Sequence, residues 1–302
     1  MRIALLFYGH QRTGKFCRQT IIDNLVRQLQ KIGDVFCFMH TWDEIDAKTR
    51  NWNGQQIKKG VTLSDTFLEQ LRTTFKLRGL LVEHQPVKDE GVFYFKEGKP
   101  LDVRGVRCML HSMLSAYSLA QEFSKNVLMD FDVAIVIRPD LYLTEQFPVG
   151  CIEDVDRFCI CGRPINDEIN NLKSYIGNDL IMMAKFDQMG KVLNKTKENE
   201  SQTIVNGAVL QAPPEYQFVQ AAMDLGLCVS PLPYRMDHEY FILRQKWCTF
   251  PKNVIRVKLS GKSIYFQALA FISHNLLRLT FFAGKFGVSI QVGGGFKRAL
   301  DS

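Results

Sequence analysis

The stretch Val133-Ala134-Ile135-Val136-Ile137 runs straight into Arg138-Pro139-Asp140-Leu141-Tyr142-Leu143, and this junction restricts the fold more than any other part of the chain. Five consecutive apolar residues make a strand buried on both faces, as in a parallel sheet covered by helices. In open sheets of that kind, ligands bind just beyond the carboxyl ends of the strands. Here that end carries a cation, a rigid turn residue and an acid. Pro139 fixes its own φ and pushes Arg138 toward extended backbone, so both charged side chains have defined directions. An acid at such a point can hold a divalent metal beside a nucleotide diphosphate, and an arginine can take a pair of phosphate or carboxylate oxygens. The plainer alternative is a surface turn closed by a salt bridge.

The segments before this strand alternate between the two periodicities. Residues 2–8 read as a first core strand, followed by the turn Gly9-His10-Gln11-Arg12-Thr13-Gly14 and a helix to about Lys31 carrying Phe16, Ile22, Leu25 and Leu29. A second strand, Asp34 to His40, ends in His40-Thr41-Trp42-Asp43. Ser64 and Asp65 are placed to cap a helix containing Phe67, Leu68, Leu71 and Phe75. A short strand follows from Leu80 to His84, then a loop or lid at 86–103 holding a small hairpin, then a long helix from about Arg104 to Phe123. This alternation predicts an α/β fold with a doubly wound, mostly parallel sheet and helices on both faces. Further on, strands are expected at Arg157–Cys161, Leu180–Ala184 and Cys228–Leu232. Helices are expected over Phe186–Leu193 and from Pro213-Pro214-Glu215, with a polar, mobile loop at 194–206.

Charge divides the chain in two. From Lys252 to Ser302 the basic residues are Lys252, Arg256, Lys258, Lys262, Arg278, Lys285, Lys297 and Arg298, and the only acid is Asp301. The whole net charge of +7 therefore lies in this tail, and residues 1–251 sum to zero. A neutral body argues against a nucleic-acid surface and favours a localised anionic contact, such as a phospholipid headgroup layer. From Ile264 to Ile290 the tail is largely apolar, and Gln267, His274, Arg278 and Lys285 fall on one stripe of a helix. The run Ser263–Leu277 is too short to span a bilayer, so the expectation is a basic amphipathic helix at 260–290 lying on an anionic membrane surface. The alternative is a helix docked on the protein's own core. Residues 1–250 are then expected to form the folded body and 251–302 a membrane-docking segment.

The eight cysteines contain no pair of CxxC motifs, which disfavours a structural zinc. Cys17, Cys37, Cys108 and Cys228 sit in apolar patterns and are expected in the core, and Cys159-Ile160-Cys161 points two sulfurs to one face. The N-terminal apolar stretch is cut short by Gly9, His10 and Arg12, so it is expected to be a strand of a cytoplasmic protein rather than a leader.

The order of these segments resembles bacterial surface-polysaccharide glycosyltransferases of the lipopolysaccharide and capsule type, which have a nucleotide-sugar-binding GT-A fold. The residues that carry the resemblance are Gly9-His10-Gln11-Arg12, Asp34-Val35-Phe36-Cys37-Phe38-Met39-His40-Thr41-Trp42, Ser112-Met113-Leu114-Ser115, Arg138-Pro139-Asp140-Leu141-Tyr142-Leu143 and Asn178-Asp179-Leu180-Ile181. It covers about residues 2–245 and does not reach the tail. It implies transfer of a sugar from a nucleotide-sugar donor to a glycan or lipid-linked acceptor, by a protein peripheral on the inner membrane. The donor is expected on Gly9, His10, Gln11, Arg12, Arg107, Arg138, Asp140 and Asn178. If the reaction inverts configuration, the base for the acceptor hydroxyl is expected to be Asp179, with Asp237 or Glu239 as second choice. One departure matters: the metal motif of that fold is Asp-x-Asp, and Arg138 stands at its first position. Either Asp140 and His238 (or Asp237) hold a manganese or magnesium ion with the diphosphate, which is the expectation taken, or Arg138 neutralises the diphosphate itself.

Two rivals remain open. Gly9, Gly14 and Lys15 satisfy the spacing G-x-x-x-x-G-K of a P-loop kinase or sulfotransferase, although Phe16 stands where a Ser or Thr is needed. A non-catalytic carbohydrate-binding protein on the membrane is the third class.

Overall fold

The computed structural model describes residues 1–45, 61–86, 93–96, 99–102, 104–152, 156–164, 175–202, 204–205, 208–209, 214–234, 240–242, 253–259, 262–268 and 289–292. The chain opens with β1 (Arg2–Phe7) and α1 (Gly14–Ile21), which runs through a π-helical stretch, Ile22–Val26, into α2 (Arg27–Leu29). Then come β2 (Asp34–Trp42), α3 (Asp65–Phe75), β3 (Leu77–Glu83), the hairpin β4 (Phe93–Lys96) and β5 (Lys99–Asp102), and α4 (Arg104–Val127). After β6 (Val133–Ile137) and β7 (Leu141–Leu143) follow β8 (Arg157–Pro164), β9 (Tyr175–Lys185), α5 (Phe186–Gln202), β10 (Ile204–Val205) and β11 (Ala208–Val209). The body ends with α6 (Pro214–Asp224), β12 (Cys228–Pro231) and β13 (Tyr240–Ile242), and the tail holds β14 (Asn253–Leu259), β15 (Lys262–Ala268) and β16 (Ser289–Val292).

Seven strands form the main sheet in the order β12-β8-β9-β6-β1-β2-β3. All neighbours are parallel except β9, which runs against both β6 and β8. The apolar runs of the central strands are explained by what lies above and below them. Ile3, Leu5 and Phe7 of β1, with Val133, Ile135 and Ile137 of β6, pack on one face against Cys17, Ile21, Leu25, Leu71 and Phe75 of α1, the π-helical stretch and α3. Ala4, Leu6, Ala134 and Val136 pack on the other against Leu110, Met113 and Ala116 of α4, Met189 and Val192 of α5, and Phe218 of α6. A period of two on a sheet covered on both sides leaves no polar position in the strand interior.

The chain builds outward from β1 through β2 to β3, then crosses back to the other side of β1 for β6. The strand order therefore reverses between β1 and β6, where an open α/β sheet leaves a crevice at the carboxyl ends. Phe7 pairs with Ile137, so the residues that follow the two strands emerge side by side, and the Tyr8 amide donates to the Ile137 carbonyl at 3.2 Å.

Several expectations are met locally. Ser64 is the N-cap of α3, its hydroxyl accepting from the Phe67 amide at 3.2 Å, and Lys76 ends that helix at φ 49°. The hairpin β4–β5 falls inside the 86–103 segment, and Cys159 and Cys161 share one face of the core.

Three expectations are corrected. The polar stretch 194–206 is not a loop over residues 194–202, because α5 continues to Gln202. Its polar side chains find partners on the helix: Asn194 donates to the Gly190 carbonyl, and the buried Thr196 hydroxyl donates to that of Val192, both at 2.8 Å. Asn199 reaches Asp224 at 3.0 Å, across to the end of α6. Cys228 is exposed, since β12 is the edge strand of the sheet, and position in a sheet is not written in a strand's own pattern. The basic amphipathic helix expected at 260–290 does not form at its start: Lys262–Ala268 is a strand, in an antiparallel sheet of order β15-β14-β16. Leu259 pairs with Lys262 across Ser260-Gly261, the two-residue spacing of a hairpin, and Val254, Ile255, Val257, Ile264, Tyr265 and Phe266 are strong strand formers. A helical stripe of only four polar residues was the weaker signal. Residues 269–288 lie outside the described residues.

Candidate active site at the sheet crevice

The turn after β1 begins at Gly9, whose φ of 90° is open to glycine and strained for other residues. Its amide donates to the Ser112 hydroxyl of α4 at 2.7 Å. His10 is buried, with Nδ1 at 3.1 Å from the Glu44 carbonyl and Nε2 at 3.0 Å from Gln85 Oε1. The buried Gln11 amide donates to Thr41 Oγ1 at 3.3 Å, while its Oε1 meets no donor among the described residues. At Gly14 a Cβ would lie 3.0 Å from that oxygen and 3.4 Å from the Pro139 carbonyl, a close fit. Arg12, at φ 32°, donates its amide to the Ile45 carbonyl at 2.7 Å and sends its guanidinium across the crevice.

That guanidinium meets the turn after β6. Asp140 is fully buried and accepts from Arg138 Nε at 2.9 Å, Arg138 Nη2 at 2.6 Å and Arg12 Nη1 at 3.1 Å. The Arg138 pair is bidentate, the strongest form of this contact. Burial works against the Arg138 charge, but Asp140, Tyr8 and Asp179 outweigh it and raise the guanidinium above its ordinary value. The turn Arg138-Pro139-Asp140 is thus an internal clamp rather than a solvated surface turn.

β9 brings the third component. It runs antiparallel to β6 with Ile181 opposite Ile137, so Leu180 and Asp179 extend past the end of β6, and the Leu180 carbonyl accepts from the Arg138 amide at 3.3 Å. The buried Tyr8 hydroxyl donates to the Asp179 carbonyl oxygen and lies 3.4 Å from its Oδ2. Burial first, and then the Asp179 charge, hold the Tyr8 phenol well above its ordinary value, so it stays a donor. Asp179 itself is half-buried at the crevice.

The crevice therefore gathers Gly9, Gln11, Arg12, Arg138, Asp140 and Asp179 of the sequence-based candidates. Arg107 is half-buried near the start of α4, and Asn178 lies in β9 next to Asp179. Asp237, His238 and Glu239 lie outside the described residues. Tyr8 and Ser112 were missed as site residues. Ser112 was visible as part of the Ser-Met-x-x-Ser helix, but nothing in the sequence says that its hydroxyl faces Gly9.

Around Asp140 the described residues do not fit a divalent ion. Both of its oxygens already accept from guanidiniums, and an added cation would face two positive charges with one carboxylate to share. The Gly9–Lys15 turn is likewise not arranged as an anion cradle. The Gly9, Arg12 and Gly14 amides donate to Ser112, Ile45 and Gln11, and Lys15 Nζ lies 4.8 Å from the centre of the Phe16 ring. No protein-family model matches this chain, and no curated protein matches it. No helix among the described residues is long and apolar enough to cross a membrane.

Proposed function

We propose that this protein is a glycosyltransferase moving a sugar from a nucleotide-sugar donor to a lipid-linked or surface-polysaccharide acceptor. The observation that carries this reading is the pairing of the Gly9–Arg12 turn with the Arg138-Pro139-Asp140 clamp at the reversal of strand order, two guanidiniums converging on one buried carboxylate. Departure of a nucleoside diphosphate develops negative charge, and preorganised cations in a site shielded from water stabilise it most. Asp140 supplies that preorganisation by fixing the planes of Arg12 and Arg138 before any ligand arrives. The Gly9 turn brings backbone close to the ligand without a side chain in the way. Asp179 is the carboxylate positioned to take the proton from the acceptor hydroxyl, with its strand held by Tyr8.

In this reading the diphosphate is met by the two arginines alone, and no step is routed through a metal. The basic tail at 251–302 would bring the crevice to an anionic membrane surface that carries the acceptor, raising its effective concentration. Removal of 251–302 should abolish binding to anionic vesicles, and unchanged binding would defeat that part of the proposal.

The deciding experiment is thermal stabilisation across UDP, GDP, CMP, dTDP, ATP and adenosine 3′,5′-bisphosphate. Stabilisation by one of the nucleoside diphosphates or CMP, lost in Arg12→Ala, supports sugar transfer. Stabilisation by ATP or the bisphosphate alone, lost in Lys15→Ala, points instead to the P-loop enzyme. With the donor known, Asp179→Asn should lower turnover by about 10²–10⁴-fold with little change in donor affinity. Full turnover in that variant would remove Asp179 from the mechanism.

A further inference from the structure

Beside the crevice, three side chains from separate elements point at one spot. His40 near the end of β2 and Glu83 at the end of β3 come from adjacent parallel strands, and His111 comes from the first turns of α4. Glu83 Oε2 lies 2.8 Å from His40 Nε2 and 2.6 Å from His111 Nε2. All three potential ligand atoms fall within 4.8 Å of one another.

Their surroundings hold them in place. His40 is fully buried, and its Nδ1 is 2.6 Å from Ser112 Oγ, which already accepts from the Gly9 amide. Without an ion, Nε2–H faces the Glu83 carboxylate and the Ser112 hydroxyl donates to Nδ1. An ion would displace the Nε2 proton, and Nδ1–H donated to that hydroxyl would then aim the Nε2 lone pair at the ion, the arrangement by which metal-bound imidazoles are oriented. Trp42, two residues along β2 and so on the same face as His40, stacks on His111 at 5.8 Å and 25° and meets His40 edge-on at 4.8 Å.

We infer that His40, Glu83 and His111 bind one divalent transition-metal ion of the zinc class, at a site distinct from Asp140. Two imidazoles and a carboxylate are the nitrogen and oxygen ligands that such ions select over magnesium or calcium. Bonds of about 2.0–2.1 Å in tetrahedral geometry set ligand atoms roughly 3.3 Å apart. The two Glu83 contacts, at 2.8 and 2.6 Å, must therefore lengthen by about 0.5–0.7 Å. His40 is a fixed wall, whereas the Glu83 and His111 side chains are 36% and 53% exposed and have room to make that adjustment. The same exposure leaves a water-accessible fourth position, so the site is open rather than closed. Ser112 joins it to the Gly9 turn through one hydroxyl. The inference is independent of the sugar-transfer reading.

The test is titration of chelator-stripped full-length protein with zinc and with cobalt, read by calorimetry and by the visible absorption of the cobalt ion. One ion should bind per chain with a four- or five-coordinate cobalt spectrum. His111→Ala, at an exposed position where folding is not at stake, should weaken binding by more than about a hundredfold, as should Glu83→Gln. Ser112→Ala should weaken it by about 10–100-fold. Absence of stoichiometric binding, or binding that His111→Ala and Glu83→Gln do not weaken, would overturn the site. In that case the cluster is a carboxylate hydrogen-bonded to two imidazoles and no more.

Discussion

Replacing Asp140 by Asn keeps the size of the side chain and removes its charge. The carboxylate is wholly buried, and the Arg138 and Arg12 side chains that it binds are only 13% and 19% exposed. The variant leaves two guanidiniums facing each other in a site largely closed to water, with at most one good acceptor oxygen between them. Removing one partner of a buried pair destabilises by about 3–5 kcal/mol, because the remaining charge is left uncompensated. Arg12 has an escape to solvent, so Arg138 should dominate, and a loss of about 4 kcal/mol is expected. For a chain of this size that lowers Tm by roughly 8 °C. The second half of the experiment separates charge from packing. Arg138→Met with Asp140→Leu removes both partners, and such apolar replacements are often neutral. The double variant should recover most of the loss, with a coupling of at least about 2 kcal/mol in a urea-unfolding cycle. An Asp140→Asn protein that melts within about 2 °C of the parent, or two single losses that simply add, would refute the clamp.

Alkaline pH tests the buried phenols. Tyr8 is held well above its ordinary value of 10.0 by burial and then by Asp179, and Tyr117 is pushed up to about 12 by burial and then by Asp187. Both pKa values are raised on folding, so their contribution is complete below about pH 10 and is lost as pH rises from there through the folded values. Tyr8→Phe should show a shallower fall in stability above pH 10, and an unchanged slope would argue against a buried Tyr8. Gly9→Ala forces a side chain into a left-handed conformation and should destabilise by about 1–2 kcal/mol in urea unfolding, although the space for a methyl is open. Gly190→Ala should lower stability by about 1–3 kcal/mol for the opposite reason, since its methyl would run into the Tyr117 ring. A parent-like midpoint in either glycine variant would contradict the local geometry described above.

The central layer of the fold was legible because its signals are local. Apolar runs at β1 and β6 require cover on both faces, and Ser64 and Pro214 mark helix starts by hydrogen bonds and φ values that need no distant partner. The same reasoning misread α5 beyond Leu193, where polarity was taken for a loop although the helix continues, with Asn194, Lys197 and Glu198 exposed and the Thr196 hydroxyl buried on its own backbone. It also misread 262–268, where stripe and hairpin signals competed and backbone pairing with β14 won.

By itself, then, the sequence determined the α/β class, the parallel core and the two turns that meet at the crevice, since each depends on residues close together along the chain. Tertiary structure alone decided what those turns do to each other. The antiparallel entry of β9 delivers Asp179 to Tyr8, and the reversal of strand order beside β1 sets Arg12 against Asp140, 128 residues away. His40, Glu83 and His111 are separated by 43 and 28 residues and share no motif, so only the packing of β2, β3 and α4 makes them one cluster. Side-chain chemistry is written locally, but a site is a distance between side chains, and most of that distance is set by where strands lie in the sheet.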